Sequence, residues 1–254
     1  MKFVKYFLLL AIIPMVGFSP VPEAPAGKKA AVCTFYVSKY IDFSELDAKM
    51  GVAAAVAGLS DDPSFNLQPV LDKFHTKFFG TYAKAFPFEM LAEDAVTGNA
   101  DYKAYESKFG ETGDADQSKW MQRYLTAPGY KPLSESGLGK NRNNLAMREI
   151  FKDQAEGIMF VSMEFAFVKK VAVGGTGTCG IRASIRIKMW NEEDKKVFAI
   201  NESAVSKSTV GLVGGIPTVS PEKLIPLCNE AADRLMADLE KRLPKIAAKA
   251  GKKF

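Results

Sequence analysis

A chain of 254 residues, 47% hydrophobic and 25% charged, has the composition of a folded protein and the length for one large domain or two small ones, which excludes disorder as its governing state. Its formal charge of +5 is too small, and its basic residues too evenly interleaved with acids, to define a nucleic-acid partner. Three cysteines exclude a disulfide scaffold, and Cys33, Cys179 and Cys228 lie at none of the short spacings of zinc or redox motifs, so each is expected to be a buried free thiol.

Met1 to Ala26 has the form of a targeting segment. Lys2 and Lys5 precede an apolar core at Phe7 to Gly17 that is short for a membrane span, and Ala24-Pro25-Ala26 supplies small residues before Gly27. The expectation is export, to the periplasm or the medium, with an outer-membrane association. No cysteine follows the apolar core directly, so a bacterial lipid anchor has no attachment point there. Residues 27–254 are then expected to form a single α/β domain.

Lys29 to Val37 is a nearly continuous apolar run and predicts a central strand covered on both faces. Phe43 to Leu59 predicts a helix of small residues, opened by Ser44 and Asp47 in the manner of a capping box. Leu67, Val70, Leu71, Phe74, Phe78, Tyr82 and Phe86 recur at three and four, the spacing of an amphipathic helix. The only histidine, His75, stands beside that stripe without a second histidine or a metal-spaced carboxylate motif, so its expected role is structural. Phe88 to Leu91 predicts a short second strand with Glu93 and Asp94 at its end. Thr97 to Leu125 scatters aromatics through polar residues and predicts short helices in an irregular insertion near 97–128. Ala127-Pro128-Gly129 marks a turn, Tyr130 to Ser134 predicts an edge strand, and Asn141 to Gln154 predicts a helix with Leu145, Ile150 and Phe151 on one side, stopped by Gly157.

Gly157 to Val168 and Cys179 to Trp190, separated by Gly174-Gly175-Thr176-Gly177, predict a hairpin. Ile181, Ala183, Ile185, Ile187 and Met189 alternate with Arg182, Ser184, Arg186, Lys188 and Trp190, the period of a sheet with one buried face. Met163, Phe165 and Phe167 share the odd parity, so pairing even with even puts the apolar sets together and brings Glu164 to the basic row. Lys196 to Ser206 predicts another strand with Phe198, Ile200 and Ala204 inward and a bulge or buried polar contact at Asn201-Glu202-Ser203. Gly211 to Pro217 reads as a flexible apolar loop. Neither it nor Gly174 to Gly180 fits a phosphate or dinucleotide fingerprint. Ser220 opens a last helix whose stripe is Leu224, Leu227, Ala231, Leu235, Leu239 and Leu243, with Pro244 as a kink or end.

The fold class expected is α/β with an α+β tendency: a mixed sheet of about five strands in the order β-α-β-α-β-β-β-α, with long helices on one face and the C-terminal helix closing the core. That order, with Ala30 to Val37 first and a helix feeding Gly157 to Val168 before the hairpin, resembles the envelope α/β domains of the curli-secretion protein CsgG, the TolB N-terminal domain and related outer-membrane lipoproteins. The resemblance implies a non-enzymatic role in an envelope assembly.

For function, the row Arg182, Arg186 and Lys188 is the candidate binding strip. The expected role is a binding or assembly component acting through protein–protein contacts, with an envelope partner or self-association, peripheral membrane association, no nucleic acid, no metal and no cofactor. The alternatives are a hydrolase-type enzyme using carboxylates such as Glu93, Asp94 or Glu202, and a small-ligand carrier with the Thr97 to Leu125 region as its lid. No Gly-x-Ser-x-Gly elbow and no His-Glu-x-x-His stands in the chain.

Overall fold

A computed structural model describes residues 27–46, 49–106, 123–134 and 143–250. The targeting segment, Asp47 and much of the 97–128 insertion lie outside the described residues. The fold is α/β, built on one mixed sheet of eight strands among the described residues, where about five were expected. In chain order come β1 (Lys29–Asp42), α1 (Lys49–Asp61), α2 (Gln68–Lys77), β2 (Glu89–Met90), α3 (Glu93–Thr97), α4 (Ala100–Ala104), β3 (Tyr124–Thr126) and α5 (Asn143–Phe151). The second half holds β4 (Gly157–Val173), β5 (Thr176–Asn191), β6 (Lys196–Val205), β7 (Val210–Val213), β8 (Ile216–Pro217) and α6 (Pro221–Ala250).

β4 is the axis of the sheet. It pairs parallel with β1 and antiparallel with β5. The outer edge of β1 takes β2 in parallel at its start and β3 antiparallel near its end. The outer edge of β5 takes β6 along most of its length and β7 near its beginning, and β8 closes on β7. The parity expected for the hairpin holds: Met163 faces Ile185, Phe165 faces Ala183 and Phe167 faces Ile181, all buried, while Ser162 faces Arg186 and Ala166 faces Arg182.

The apolar face is packed by α2 and α6. Phe35 of β1 meets Phe74 and Phe78 with ring centroids at 4.7 and 5.4 Å. The predicted helical stripe is buried from Leu67 to Phe86, although beyond Lys77 the backbone widens into a π turn at Phe78–Tyr82 and then tightens at Ala83–Ala85. The Tyr82 hydroxyl donates to the Met236 carbonyl of α6 at 2.8 Å, joining the two helices. Pro244 does not end α6, which carries both Pro226 and Pro244 inside it. Five buried leucines at roughly 1.5–3 kcal/mol each outweigh two prolines at about 3 kcal/mol each, so burial of the stripe holds the helix through both.

Between β2 and β3 no strand among the described residues covers β1, and side chains complete its hydrogen bonding. The buried Tyr102 hydroxyl donates to the Cys33 carbonyl at 2.8 Å and accepts the Lys131 amide at 2.9 Å. The Thr34 hydroxyl donates to the Lys131 carbonyl and accepts the Leu133 amide at 3.1 Å. Tyr130 to Ser134 is therefore not the expected edge strand; it is irregular backbone fixed by two hydroxyls, and the edge strand is Tyr124–Thr126.

Three other expectations change. Helix α1 begins at Lys49, and the Ser44 hydroxyl donates to the Asp42 carboxylate and so caps no helix. The buried side of α5 is Met147 and Phe151, with Leu145 and Ile150 only half-buried. Gly211 to Pro217 is not a loop but the β7–β8 hairpin. The three cysteines are free and buried, as expected.

Candidate functional site

The predicted basic strip lies on the open face of the sheet, opposite α2 and α6. Arg186 stands between Ser162 and Asn201, and Arg182 between Ala166 and Val205. Their charges are largely answered within the chain. Arg186 meets the Glu164 carboxylate at 3.1 Å and Arg182 is paired with Glu45. Burial, and then the neighbouring Lys196, pulls Lys188 below its ordinary value. Exposed pairs of this kind are worth under about 1 kcal/mol, so they orient the row more than they stabilise the fold. Neither the bulge nor the buried polar contact expected at Asn201 to Ser203 forms: these residues pair regularly with β5, and Glu202, sharing the helix-packed face with Ile185, accepts from Arg242 of α6 in an exposed ion pair. The irregularity of β6 falls instead opposite Met189 and Trp190.

The candidate carboxylates do not converge. Glu93, in the first turn of α3, takes His75 Nε2 at 2.6 Å and the Tyr130 hydroxyl at 3.2 Å. Asp94 is exposed and accepts its neighbour's amide from Ala95. Glu202 belongs to β6, separated from β1 by β4 and β5, which at about 4.8 Å per strand puts it roughly 14 Å from the β1 edge beside Glu93. Sequence reasoning left His75 without a partner. The partner is Glu93, brought over by the β2 turn, and the Ala127–Tyr130 turn completes the cluster. That turn is closed by the Tyr130 amide on the Ala127 carbonyl at 3.0 Å, with Gly129 at φ +78° against Thr97 of α3. Burial, and then Glu93, pushes the Tyr130 hydroxyl far above its ordinary range. The cluster ties α2, α3 and the turn together.

A surface missed in the sequence lies at the far end of the sheet. Strands β4 and β5 overrun the core and turn at Gly174-Gly175, with φ of +57° and +81°; β7 and β8 turn at Gly214-Gly215, with φ of +60° and +78°. Positive φ at both central residues makes each a two-residue turn that matches strand twist, which is why glycine occupies all four positions. The Gly215 amide donates to the Gly175 carbonyl at 2.7 Å, so the two turns form one tip.

Which side chains this tip presents is set by a bulge. The register slips between Lys169, opposite Cys179, and Val171, opposite Thr178, leaving Lys170 as the extra residue. One added residue reverses the parity of the strand beyond it. Val171 and Val173 would otherwise share the covered face with Phe167; they now stand on the open face with Thr178 and Thr176. Val213 and Ile216 pair across β7 and β8 in the same transverse row, whereas Leu212 and Pro217 point the other way and are buried. The result is a one-sided aliphatic patch: Val171 is 65% exposed, Val173 81%, Val213 66% and Ile216 36%. The sequence signal was present in the paired Gly-Gly turns flanked by Val and Ile.

No family model matches this chain, and no curated protein does. Among solved structures, it is similar to the hypothetical protein CT253 from Chlamydia trachomatis, at 9% identity and a TM-score of 0.36, over 87% of this chain and 98% of that one. It is also similar to a protein described as a neuraminyllactose-binding hemagglutinin homolog from Helicobacter pylori, at 6% identity and a TM-score of 0.37, over 95% of each chain. Neither of these two is a CsgG or TolB domain, and at such scores the likeness carries no functional argument.

Proposed function

We propose that this protein is an exported, non-enzymatic component of a cell envelope, periplasmic or secreted and associated with the outer membrane, that works as a binding or assembly accessory through protein–protein contacts. The observation that carries this reading is the part of the sheet left open on one face; toward Ile158 and Phe160, which face Trp190 and Lys188, that same face is buried. Helices α2 and α6 pack one face, and the other runs open from the Arg186 row to the aliphatic tip. An open face of this kind suits contact with a partner surface better than enclosure of a substrate. The separation of Glu93, Asp94 and Glu202 onto different partners supports the same reading over acid–base turnover. Within it, Arg186 and Lys188 lie on the surface offered to a protein partner.

The test is a photo-crosslinking residue at position 186 in the native host. The expected outcome is one adduct of recurrent mass that diminishes when Glu164→Lys is added to the same strand pair. Recovery of monomer alone at native expression would sink the reading.

A further inference from the structure

We propose that the tip formed by the β4–β5 and β7–β8 turns docks on an anionic bilayer surface, with Val171, Val173, Val213 and Ile216 entering the interfacial layer and Lys170 and Lys207 meeting the lipid headgroups. The placement of this membrane in the envelope rests on the proposed function; the lipid recognition itself rests on the tip.

The apolar side is the first support. Four aliphatic side chains stand exposed in adjoining transverse rows on a single face, and the bulge at Lys170 is what turns two of them outward. Together they present roughly 400 Å², about half of the ~800 Å² per partner that a stable protein interface buries. The patch is therefore too small to hold a second copy by apolar contact alone. A bilayer requires no complementary pocket and accepts a small convex apolar element at its interface.

Charge is the second support. No charged residue occurs from Val171 to Ile181, or from Ser208 to Pro221, so the two turns are wholly uncharged. Of the four charges that border them in sequence, Lys170, Arg182 and Lys207 are basic and Glu222 is acidic. The Lys170 side chain lies over Gly180, its Cε 3.1 Å from where a Cβ would stand there, which places it on the valine face. Lys207 is exposed in the connection between β6 and β7, whose Lys207 and Ser208 amides are held by Glu230. Neither Lys170 nor Lys207 is in an ion pair among the described residues, while Arg182, next along the same face, is already taken by Glu45. The apolar tip and the ammonium groups of Lys170 and Lys207 match the apolar and anionic layers of a membrane surface in the order in which they would meet it.

The experiment uses the exported chain as isolated from its host and flotation with two kinds of vesicle: phosphatidylcholine alone, and phosphatidylcholine with phosphatidylglycerol at about three to one. Binding is expected only to the anionic vesicles, weaker by about fivefold for each of Lys170→Gln and Lys207→Gln. It should be lost in the double variant Val173→Asp with Val213→Asp, whose thermal unfolding should stay close to that of the parent because both positions are solvent-exposed. Equal binding to both vesicle types, no binding to either, or undiminished binding of the double variant overturns the proposal. So does a concentration-dependent dimer in sedimentation that the double variant abolishes, because the occupant is then a second copy. If vesicle binding fails while the position-186 adduct persists, the lipid proposal falls and the assembly reading stands.

Discussion

Replacing Tyr102 with Phe tests a sequence-remote support of the β1 edge. The hydroxyl bridges the Cys33 carbonyl and the Lys131 amide at 2.8 and 2.9 Å in a fully buried position, where no strand among the described residues neighbours β1 to take over. Phenylalanine keeps the ring that packs near Phe151, with centroids 5.9 Å apart, so no cavity opens and the loss is polar. Leaving a buried backbone group without a partner costs about 1–3 kcal/mol, and about 2 kcal/mol is expected here. For a chain of this size that lowers Tm by about 4–8 °C. Urea unfolding should show a lower midpoint at unchanged slope. Tyr82→Phe is the control. Its hydroxyl bonds the Met236 carbonyl inside α6, which the helix ladder already uses, so its loss should cost only about 0.5–1 kcal/mol. A Tyr102→Phe variant within about 0.5 kcal/mol of the parent, or less affected than Tyr82→Phe, would refute the edge-bridging account.

Three further outcomes follow from the same geometry. Gly177→Ala would put a Cβ 1.9 Å from the Val171 carbonyl oxygen, so hydrogen exchange should show lost protection across Val171–Val173 and Val210–Val213 with Val161–Phe167 unchanged; Gly214→Ala, at φ +60° in open space, should cost only about 1–2 kcal/mol. The Ser208 and Lys207 amides hold the Glu230 carboxyl below its usual value, so its contribution is present above the unfolded value of about 4.3 and is lost as pH falls through the lower folded one. Protection factors at Lys207 and Ser208 should fall in that acid window, and in Glu230→Gln they should be low at every pH. Burial pushes the Cys179 thiol up to about 11 and the Cys33 and Cys228 thiols further still, so none of the three should react with a thiol reagent near pH 8 until the chain is unfolded.

The parts of this fold written in local periodicity were legible. Alternation between Ile181 and Trp190 set the buried face, and shared parity with Met163, Phe165 and Phe167 set the register, because a strand face is fixed by a period of two. The stripes of α2 and α6 were legible for the same reason at a period of 3.6. What escaped depended on single residues or remote partners. Strands β2 and β8 are two residues long and exist because neighbours present free edges, which no local pattern announces. The Lys170 bulge reverses the tip without any change in residue type. Glu93 reaches His75 across eighteen positions through a turn, and Tyr102 reaches Cys33 across sixty-nine. The basic row was placed on the correct face, but its Glu45 partner lay in another segment. The β7–β8 half of the tip read as a loop because glycine pairs mark loops and hairpin turns alike.

The central claim is that the open face touches its surroundings through the hairpin tip, and a fluorescent reporter on that tip measures it directly. The buried native thiols allow an environment-sensitive label at Val173→Cys or Val213→Cys, with Glu193→Cys in the exposed β5–β6 turn as reference. On addition of phosphatidylglycerol-containing vesicles, the account predicts a blue shift and quenching by lipid-borne quenchers at 173 and 213 and no change at 193. Equal, unshifted emission at all three positions would contradict it.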